Sequence, residues 1–398
     1  MSSKPKLRAV AKAAGAVDPR LQRFRDKKVG HVKAKACLNE LILLTENPRP
    51  ESIIVLIGPG GSGKTTLLGR LKKHLANFYQ ERMAKDPGFL PFLSIEAVAG
   101  LDGTFNWKDG LTRVLAEAGE VLINQKAISR FEVELDGEAV SRLRSLVREE
   151  LRRALENLVK SRDVPLLIVD EASALLMTRK RMSPLLPFEI LKSLAVVLKI
   201  PIVLSGAYDL LGILDGTGQL VRRSDVVHLS RYLAEGSTED FVEGRYVSIP
   251  DREHFRDALH SLLNAMEIEK ETDFTEHVDY FMMKSVSCVG NLKDWLDRAF
   301  VKALAQEKPV LTLRIIKRTA LKNKLLIKLT NEAILGEKAL AETPDDELAR
   351  LQGWKVVPQM PDEATLEATP VPSKRRRGNR SPGKRGPSRD KVGGLDAP

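Results

Sequence analysis

The sequence is poor in cysteine, in aromatic side chains and in long apolar runs. Only two of its 398 residues are cysteines, Cys37 and Cys288, and their wide separation argues against a disulfide framework and a C-x-x-C zinc site. The six histidines are scattered without the spacing of a metal or catalytic site. No segment approaches the roughly 18 apolar residues that span a bilayer, and the N-terminal MSSKPKLRAV lacks the apolar core of a signal peptide. We therefore expect a soluble, cytoplasmic protein without a membrane partner.

Positive charge is concentrated at the two ends of the chain. Residues 1–36 hold 11 Lys/Arg and 2 Asp/Glu, and residues 371–398 hold 9 Lys/Arg and 2 Asp/Glu. Because these two excesses together are larger than the net charge of +11, the middle of the chain is mildly acidic. Basic ends are typical of tails that bind nucleic acid, although a solvated, disordered tail has the same composition.

A glycine-rich loop between a buried strand and an amphipathic helix carries the first chemical signal. The segment ESIIVLIGPGGSGKTTLLGRLKKHL, residues 51–75, contains G-x-x-x-x-G-K-[ST], whose backbone N–H groups bind nucleotide phosphates at a helix N-terminus. We predict that Lys64 reaches the β- and γ-phosphates and that the Thr65 hydroxyl binds Mg²⁺. The predicted nucleotide-binding residues of the loop are Gly58, Pro59, Gly60, Gly61, Ser62, Gly63, Lys64, Thr65 and Thr66.

An apolar run that ends in two acids, PLLIVDE at residues 165–171, is the second signal. Such a run is typical of a buried parallel strand whose C-terminal end meets a ligand. Given the P-loop, we predict that Asp170 orients Mg²⁺ and that Glu171 polarises the attacking water. Taken alone, a strand that ends in Asp-Glu is equally well explained by a capped turn. No N-K-x-D element for guanine follows this strand, which favours ATP over GTP.

Four further side chains are candidates for the reaction. Ser205 ends the next apolar strand, where its hydroxyl either contacts the γ-phosphate or the water, or simply caps the strand. Arg222 and Arg223 precede another strand, where one of them reaches the γ-phosphate of a neighbouring subunit, or both are surface charges. Lys293 lies where a helix of a later helical region begins, and there it would contact the nucleotide from above.

The alternation of strands and helices predicts an α/β fold with a parallel sheet flanked by helices. From Asp251 to about Leu340 helical spacing replaces the strand signal, which predicts a small helical lid domain. We expect a mobile chain up to about Val32, and a basic, Pro-rich C-terminal tail that is too poor in apolar residues to fold alone. The predicted domains are a basic arm at 1–30, a P-loop core at 31–240, the lid at 241–340 and a disordered tail at 341–398.

In their order along the chain these motifs resemble those of AAA+ ATPases. More narrowly, three segments are similar to the TnsC/TniB/MuB-like transposition regulators: FNWKDGLTRVLAEAG (105–119), ILKSLAVVLKIPIVLSGAYDLL (190–211) and GQLVRRSDVVHLSRY (218–232). The resemblance covers roughly residues 28 to 305. Two positions depart from the family pattern: Ser205 stands where another small polar residue is common, and Lys293 replaces the usual sensor 2 arginine.

The resemblance implies an ATP-dependent protein that binds double-stranded DNA and oligomerises on it as a ring or a helical filament. It implies two protein partners, a DDE transposase and a target-selection protein, which in some members is a CRISPR RNA-guided complex. It also implies slow, assembly-dependent hydrolysis of ATP with Mg²⁺, which dissolves the polymer. The residues implied in the reaction are Lys64, Glu171, Ser205 and either Arg222 or Arg223.

DNA binding that tolerates any sequence needs Lys, Arg and small hydroxyl side chains that face phosphates. The candidates are Thr104, Lys108 and Arg113 after the second predicted strand, and Arg179, Lys180 and Arg181 after the acidic strand. Each of these side chains is also explained as an ordinary solvated surface residue.

Two other functions fit the same motifs. A helicase loader or origin-recognition-type ATPase shares the core but should carry a winged-helix or helicase-binding module. The basic segment after Leu311 is helical and has no obvious winged-helix strands, which argues against that function. A STAND-like signalling scaffold binds ATP without turnover but should carry partner repeats, and we find none in the sequence. We therefore favour the transposition regulator.

Overall fold

Five parallel strands form the sheet that positions the glycine-rich loop. The computed structural model describes residues 18–49, 51–119, 137–177, 186–213, 218–242 and 245–358, and the chain divides into two compact units, Met1–Leu340 and Ala341–Pro398. The strands of the sheet are β1 (Ile53–Ile57), β2 (Leu93–Glu96), β3 (Leu167–Asp170), β4 (Ile202–Gly206) and β5 (Ser224–His228). Their order is β2-β3-β4-β1-β5, and every neighbouring pair is parallel. The predicted α/β fold with a parallel sheet is confirmed.

Helices connect these strands and cover both faces of the sheet. They are α1 (Pro19–Asp26), α2 (Val32–Glu46), α3 (Lys64–Phe78), α4 (Gln80–Lys85), α5 (Trp107–Glu117), α6 (Gly137–Ser161), α7 (Leu186–Leu198) and α8 (Gly218–Arg223), with 3₁₀ turns at Ala172–Leu176 and Tyr208–Ile213. The β1 side chains are fully buried, as expected of a strand between two helical layers. Ile53, Val55 and Ile57 pack in the core with α5, α6 and α7, whereas Ile54 and Leu56 pack with α2 and α3.

An antiparallel hairpin follows the sheet and is not predicted by the sequence patterns. It consists of β6 (Ser237–Val242) and β7 (Arg245–Pro250). Phe241 and Tyr246 lie opposite each other with ring centroids 5.2 Å apart, and both side chains are exposed. Because neither face of the hairpin is buried in a core, its sequence lacks the apolar alternation by which a half-buried strand is recognised.

The helical region after the hairpin has a core of its own and is termed the lid. Its elements are α9 (Asp251–Asn264), β8 (Glu269–Lys270), a 3₁₀ turn at Phe274–His277, α10 (Val278–Lys284), α11 (Val289–Leu304), β9 (Val310–Leu311), α12 (Leu313–Thr319) and α13 (Asn323–Ala339). Trp295 is buried in this core, and its Nε1 donates to the Ile316 carbonyl at 3.2 Å and to Thr319 Oγ1 at 3.1 Å. The helical character agrees with the sequence prediction, apart from the two short strands β8 and β9. The predicted domain boundaries stay predictions.

Residues 19–26 form α1 on the surface of the lid, so the expectation of a mobile chain up to about Val32 is wrong for this stretch. Leu21 and Phe24 of α1 are buried in the lid core. Arg25 forms an ion pair with Asp297 of α11 at 2.8 Å. The expectation rested on the high density of basic residues, but two apolar side chains at i and i+3 give α1 a face that packs.

Helix α13 connects the lid to the sheet. Near its first residue, Lys284 Nζ donates to Asn323 Oδ1 at 2.5 Å. Near its last residue, Gly336 lies against the ring of Tyr208 so closely that a Cβ atom would lie 2.0 Å from the ring Cγ. Helix α13 therefore contacts the rest of the lid at its first residue and the turn after β4 near its last residue.

The unit Ala341–Pro398 is described only as far as residue 358. It contains α14 (Asp345–Leu351), after which Trp354 and Val356 are largely exposed. Across the described ranges of the whole chain, no helix combines the length and the apolar character that crossing a membrane requires.

Asp251, the first residue of the lid, is buried at the junction with the sheet. Its Oδ2 accepts hydrogen bonds from Lys33 Nζ and from the Leu233 N–H, both at 2.8 Å, and its Oδ1 accepts one from Thr238 Oγ1 at 2.5 Å. Burial acts to raise the pKa of Asp251, but the bonds from Lys33, Thr238 and Leu233 and the charge of Lys33 outweigh it, so the pKa is lowered. The junction therefore depends on an ionised carboxylate.

We predict that Asp251→Asn lowers the free energy of unfolding by about 3 kcal/mol, because it leaves the ammonium group of Lys33 buried without a counter-charge. Since the pKa of Asp251 is lower in the folded than in the unfolded chain, this stabilisation is present at neutral pH. It should disappear as the pH falls below the ordinary value of 3.8 through the folded-state pKa. Urea denaturation followed by circular dichroism measures both effects.

The matched control is Arg252→Gln, one residue further along the helix. It breaks an exposed ion pair with Asp279 and should cost less than about 1 kcal/mol. Equal losses in the two variants would contradict the role given to Asp251.

Candidate functional site

The glycine-rich loop joins the end of β1 to the start of α3 at the carboxyl edge of the sheet. Gly61 and Gly63 have φ values of +77° and +101°, a left-handed conformation that residues with a side chain rarely adopt. Gly58 approaches the chain so closely that a Cβ atom would lie 2.4 Å from the carbonyl oxygen of Leu229. The glycines thus let the chain turn into α3, whose first N–H groups have no partner within the helix. This is the geometry of an anion site at a helix N-terminus.

Lys64 folds back onto the loop that it follows. Its Nζ donates to the carbonyl oxygens of Gly58 at 2.9 Å and Pro59 at 3.1 Å. Burial lowers the pKa of Lys64, and the negative charges of Glu171 and Asp170 act in the opposite direction. Two neutral carbonyl oxygens thus hold the ammonium group over the loop, and charged phosphate oxygens would be stronger partners for it.

Asp170 and Glu171 lie at the carboxyl end of β3, two strands away from the loop. Asp170 is buried, and its Oδ1 accepts a hydrogen bond from the Glu171 N–H at 2.9 Å. Glu171 is exposed and has a φ of +51°, a strained conformation for a residue other than glycine. The turn aims the two carboxylates in different directions, so that one is shielded and the other meets solvent.

Ser205 lies at the end of β4, opposite Leu56 of β1. Its side chain is fully buried, and its Oγ has no hydrogen-bond partner within the described residues; the same is true of the buried Ser62 Oγ in the loop. Unsatisfied buried hydroxyls are rare in proteins, and both lie where a polar ligand would satisfy them. The site therefore fits a phosphate-bearing nucleotide.

Asp170 and Ser205 share a face of the sheet. Side chains alternate along a strand, and the residues two positions earlier, Ile168 and Val203, pack in the core formed with α2 and α3. Thr65 belongs to the first turn of α3 on this same side. The structure thus brings the predicted Mg²⁺ ligands, Thr65 and Asp170, to one face and one edge.

Ser173 connects the turns that follow β3 and β4. The sequence patterns did not indicate this residue. Ser173 Oγ donates to Asp209 Oδ1 at 2.6 Å and accepts from the Ala207 N–H at 3.1 Å. The bonds fix the turn after Glu171 to the turn after Ser205. Its only signal in the sequence is a small hydroxyl residue two positions after the acidic pair, which is too common to be recognised.

The lid touches the glycine-rich loop through Gly290 and Asn291, at the start of α11. The Asn291 N–H donates to the Gly61 carbonyl at 3.2 Å, and its Nδ2 donates to the Gly60 carbonyl at 3.2 Å. A Cβ on Gly290 would lie 2.3 Å from the Gly61 carbonyl oxygen. The sequence pattern indicated Lys293 as the functional residue of this segment, whereas the residues that contact the loop are Gly290 and Asn291.

The loop before α11 is strained. Val286 and Ser287 both have a φ of +55°, which is a clear outlier for a β-branched residue such as valine. The Ser287 carbonyl accepts a hydrogen bond from the Tyr232 N–H at 3.1 Å. Strain of this kind persists where the surrounding structure fixes the conformation, and here it places the start of α11 on the loop.

An open cleft lies beside the loop. Residues from the chain before α2, from the loop and α3, and from the lid line it, among them Lys27, His31, Ser62, Thr66, Val289 and Lys293. The pKa of His31 is lowered to about 4 by burial and by the nearby charges of Arg70 and Lys33, so the ring is neutral at neutral pH. The cleft combines apolar walls with basic side chains, as expected of a nucleotide site.

Lys293 lines this cleft but is already engaged. Its Nζ donates to the carbonyl oxygens of Arg25 and Lys27, each at 2.7 Å, where α1 ends. Burial lowers the pKa of Lys293. The predicted contact with the nucleotide stays a prediction, and it would require Lys293 to exchange these carbonyls for the ligand.

Arg222 and Arg223 lie at the edge of the sheet opposite the loop. They end α8 directly before β5, whose first residue, Ser224, is opposite Ile53 at the start of β1. Arg223 forms an ion pair with Glu51 at 2.8 Å, and Arg222 is exposed. Neither arginine therefore belongs to the nucleotide site of its own chain.

The first group of predicted DNA-binding residues lies around the start of α5. Thr104 Oγ1 donates to Asp102 Oδ1 at 2.9 Å, and Arg113 forms an ion pair with Asp109 at 2.9 Å. Lys108, in the first turn of α5, is partly exposed. The second group, Arg179, Lys180 and Arg181, lies outside the described residues. DNA binding by either group stays a prediction.

Residues 47–214 match the sequence model of a family described as an AAA domain, and no curated protein matches the chain. Among solved structures, the chain is similar to the ORC2 protein of Aeropyrum pernix in its ADPNP–ADP complexes, with 15% identity, 84% of this chain and 79% of that chain covered, and a TM-score of 0.42. It is also similar to the Walker-type ATPase paby2304 of Pyrococcus abyssi (17% identity, 80% and 75% covered, TM-score 0.40) and to PCH-2 of C. elegans (13% identity, 76% and 69% covered, TM-score 0.37). The family match spans β1 to β4 and includes both strand-end motifs, so residues 47–214 are similar to an AAA domain in the part of the chain that carries the candidate site.

Proposed function

We propose that this protein is an ATP-dependent, DNA-binding AAA+ regulator of DNA transposition. It oligomerises on double-stranded target DNA as a ring or helical filament and connects a target-selection protein to a DDE transposase. Hydrolysis of ATP then releases it from DNA. The AAA domain supports ATP binding and hydrolysis. The narrower assignment rests on the segments 105–119, 190–211 and 218–232, which are similar to the TnsC/TniB/MuB-like regulators.

The glycine-rich loop is the proposed binding site of the ATP phosphates. The N–H groups of the first turn of α3 and the ammonium group of Lys64 would bind phosphate oxygens, and Thr65 and Asp170 would hold Mg²⁺. When bound, Mg²⁺ neutralises negative charge on the phosphate oxygens. The buried, unpartnered hydroxyls of Ser62 and Ser205 support this fit, since both lie at the same edge of the sheet.

Glu171 is the proposed general base for the attacking water. Its carboxylate is exposed at the carboxyl edge of the sheet, next to Asp170, which is buried. This separation suits a division of roles, in which the shielded carboxylate serves the metal and the accessible one orients water. The Ser205 hydroxyl is the proposed contact for the water or the γ-phosphate.

The observation that carries the assembly part of the proposal is the separation between the glycine-rich loop and the two arginines. Arg222 and Arg223 precede β5 at the amino edge, and the loop follows β1 at the carboxyl edge. Five strand residues separate the edges, a distance of roughly 16 Å. An arginine of this pair can complete only the site of another copy, so hydrolysis is expected to require assembly.

We predict that Glu171→Gln retains ATP binding but lowers kcat for ATP hydrolysis at least about 100-fold, because the water loses its base. The variant should then stay on duplex DNA with ATP, whereas the wild type dissociates as ATP is consumed. Fluorescence anisotropy of labelled DNA, together with release of inorganic phosphate, measures the two effects.

The control for this variant is Asp163→Asn, which removes a carboxylate before the other end of β3. Asp163 is exposed and pairs with Arg82, and its substitution should leave hydrolysis and DNA release unchanged. A Glu171→Gln protein that binds ATP but no longer binds DNA would contradict the proposal that ATP hydrolysis releases the protein from DNA.

We also predict that Arg222→Ala and Lys64→Ala are each inactive alone but restore hydrolysis when mixed. In a mixed polymer, an intact loop from the first variant can meet an intact arginine from the second, which at random mixing occurs at about a quarter of the contacts. Mixing Arg223→Ala with Lys64→Ala tests the other arginine. No recovery in either mixture, or full activity of both arginine variants alone, would contradict hydrolysis between subunits.

The rival functions predict different outcomes in one imaging experiment. Negative-stain images of the protein with duplex DNA and a non-hydrolysable ATP analogue should show rings or filaments along the DNA. A protein that assembles only on a replicative helicase would instead favour the helicase loader, and one that binds ATP without any turnover would favour the signalling scaffold. A monomer in the presence of both ligands would overturn the proposal.

A further inference from the structure

A stretch of the lid is basic throughout and contains no acid. Residues 308–331, KPVLTLRIIKRTALKNKLLIKLTN, hold seven Lys/Arg and no Asp/Glu, in a chain whose middle is mildly acidic. The stretch contains β9, α12, the link after it and the first half of α13. The nearest acids along the chain, Glu307 and Glu332, lie just outside it.

Helix α12 turns its basic side chains away from the lid core. Its opposite side is held by Trp295, whose Nε1 donates to the Ile316 carbonyl and to Thr319 Oγ1. The basic residues of α12 follow at i, i+3 and i+4, the spacing of one helix face, and all three are exposed. They are Arg314, Lys317 and Arg318.

The first half of α13 adds further exposed cations. Leu326 is buried, whereas Lys324 and Lys328, four residues apart, are exposed. Lys322, at the N-cap of α13, is exposed as well and joins the two groups. We term the six exposed cations that lie within 15 consecutive residues of this stretch the basic face: Arg314, Lys317, Arg318, Lys322, Lys324 and Lys328.

No member of the basic face forms an ion pair with another residue in the described ranges. Elsewhere exposed cations are commonly neutralised locally, as Arg113 is by Asp109, Arg152 by Glu149 and Lys192 by Glu189. Six like charges without counter-charges repel one another, and a bound polyanion would relieve that repulsion. Release of the polyanion's counterions would further favour binding.

We infer that the basic face binds the phosphate backbone of double-stranded DNA. The inference deepens the proposed function, since it assigns the surface through which the protein would hold target DNA. The cations lie on or directly beside helices and have no carboxylates among them, which suits contacts to phosphates without reading of bases. The earlier candidates around α5 are less suited, because Arg113 and Thr104 already bond to Asp109 and Asp102.

The exposed apolar residues near the basic face argue against a membrane as its partner. Leu325 and Ile327 are 52% and 60% exposed, but they are two residues apart and so point to different sides of α13. An interfacial membrane helix needs a continuous apolar face, which this arrangement lacks.

The test is the triple substitution Lys322→Gln, Lys324→Gln and Lys328→Gln in the full-length protein. Affinity for a labelled duplex is measured by anisotropy over a series of salt concentrations. Removal of three phosphate contacts should lower the slope of log K against log salt by about 2.7 and weaken binding at least about tenfold at low salt. Two unrelated duplex sequences should be affected equally.

The matched control carries the same change in net charge at exposed lysines of three other helices, α3, α4 and α6: Lys73→Gln, Lys85→Gln and Lys160→Gln. Its slope should stay within about one unit of the wild type. Equal slopes for the two triple variants would overturn the inference, since the basic face would then act only through net charge. If the first variant unfolds, Arg314→Gln, Lys317→Gln and Arg318→Gln on α12 test the same surface.

The experiment also separates this inference from the proposed function. Each measurement is made without nucleotide and with a non-hydrolysable ATP analogue. A slope reduced by the triple substitution in both states, with no effect of the analogue on DNA affinity, supports the basic face and contradicts the ATP switch. An unchanged slope on DNA together with loss of binding to vesicles containing phosphatidylserine identifies a membrane contact and overturns the inference.

Discussion

The candidate site depends on several backbone N–H donors and one ammonium group, which lie together at the carboxyl end of β1. Gly61 and Gly63 can adopt the left-handed turn that brings the start of α3 to this edge, and the partly buried Lys64 donates there to two carbonyl oxygens. An anion is the ligand that satisfies all of these groups at once. Parallel pairing then places the ends of β3 and β4, with Asp170 and Ser205, beside the same anion site.

Hydrogen bonds from a few residues connect the lid to this edge. Asn291 bonds to two carbonyls of the loop, and the strained pair Val286 and Ser287 holds the start of α11 in position. Lys293 ties the end of α1 to the same cleft through two carbonyl oxygens. Three separate parts of the chain therefore meet where the nucleotide is proposed to bind.

The central features could be predicted from the sequence because their signals are local. Strands β1, β3 and β4 are buried on both faces, so each appears in the sequence as a continuous apolar run. Lys64 lies at the end of the glycine-rich loop after β1, and Asp170 and Glu171 lie at the end of the β3 run. Features that depend on tertiary contacts gave no such signal. Helix α1 has a short apolar face that the many basic residues obscure, the hairpin of β6 and β7 has no buried face, and the contact between Asn291 and Gly61 joins residues distant in the chain. The place of Arg222 and Arg223 relative to the loop required the strand order.

Helix α13 has a mechanical consequence, because it ends on the turn that follows β4. Gly336 leaves no gap against the ring of Tyr208, which lies three residues after Ser205, and the other end of the same helix begins beside Lys284 of the lid. A stiff helix with one end seated this tightly works as a lever. A load that tilts its lid end must displace the Tyr208 ring, and with it the segment that carries the Ser205 hydroxyl.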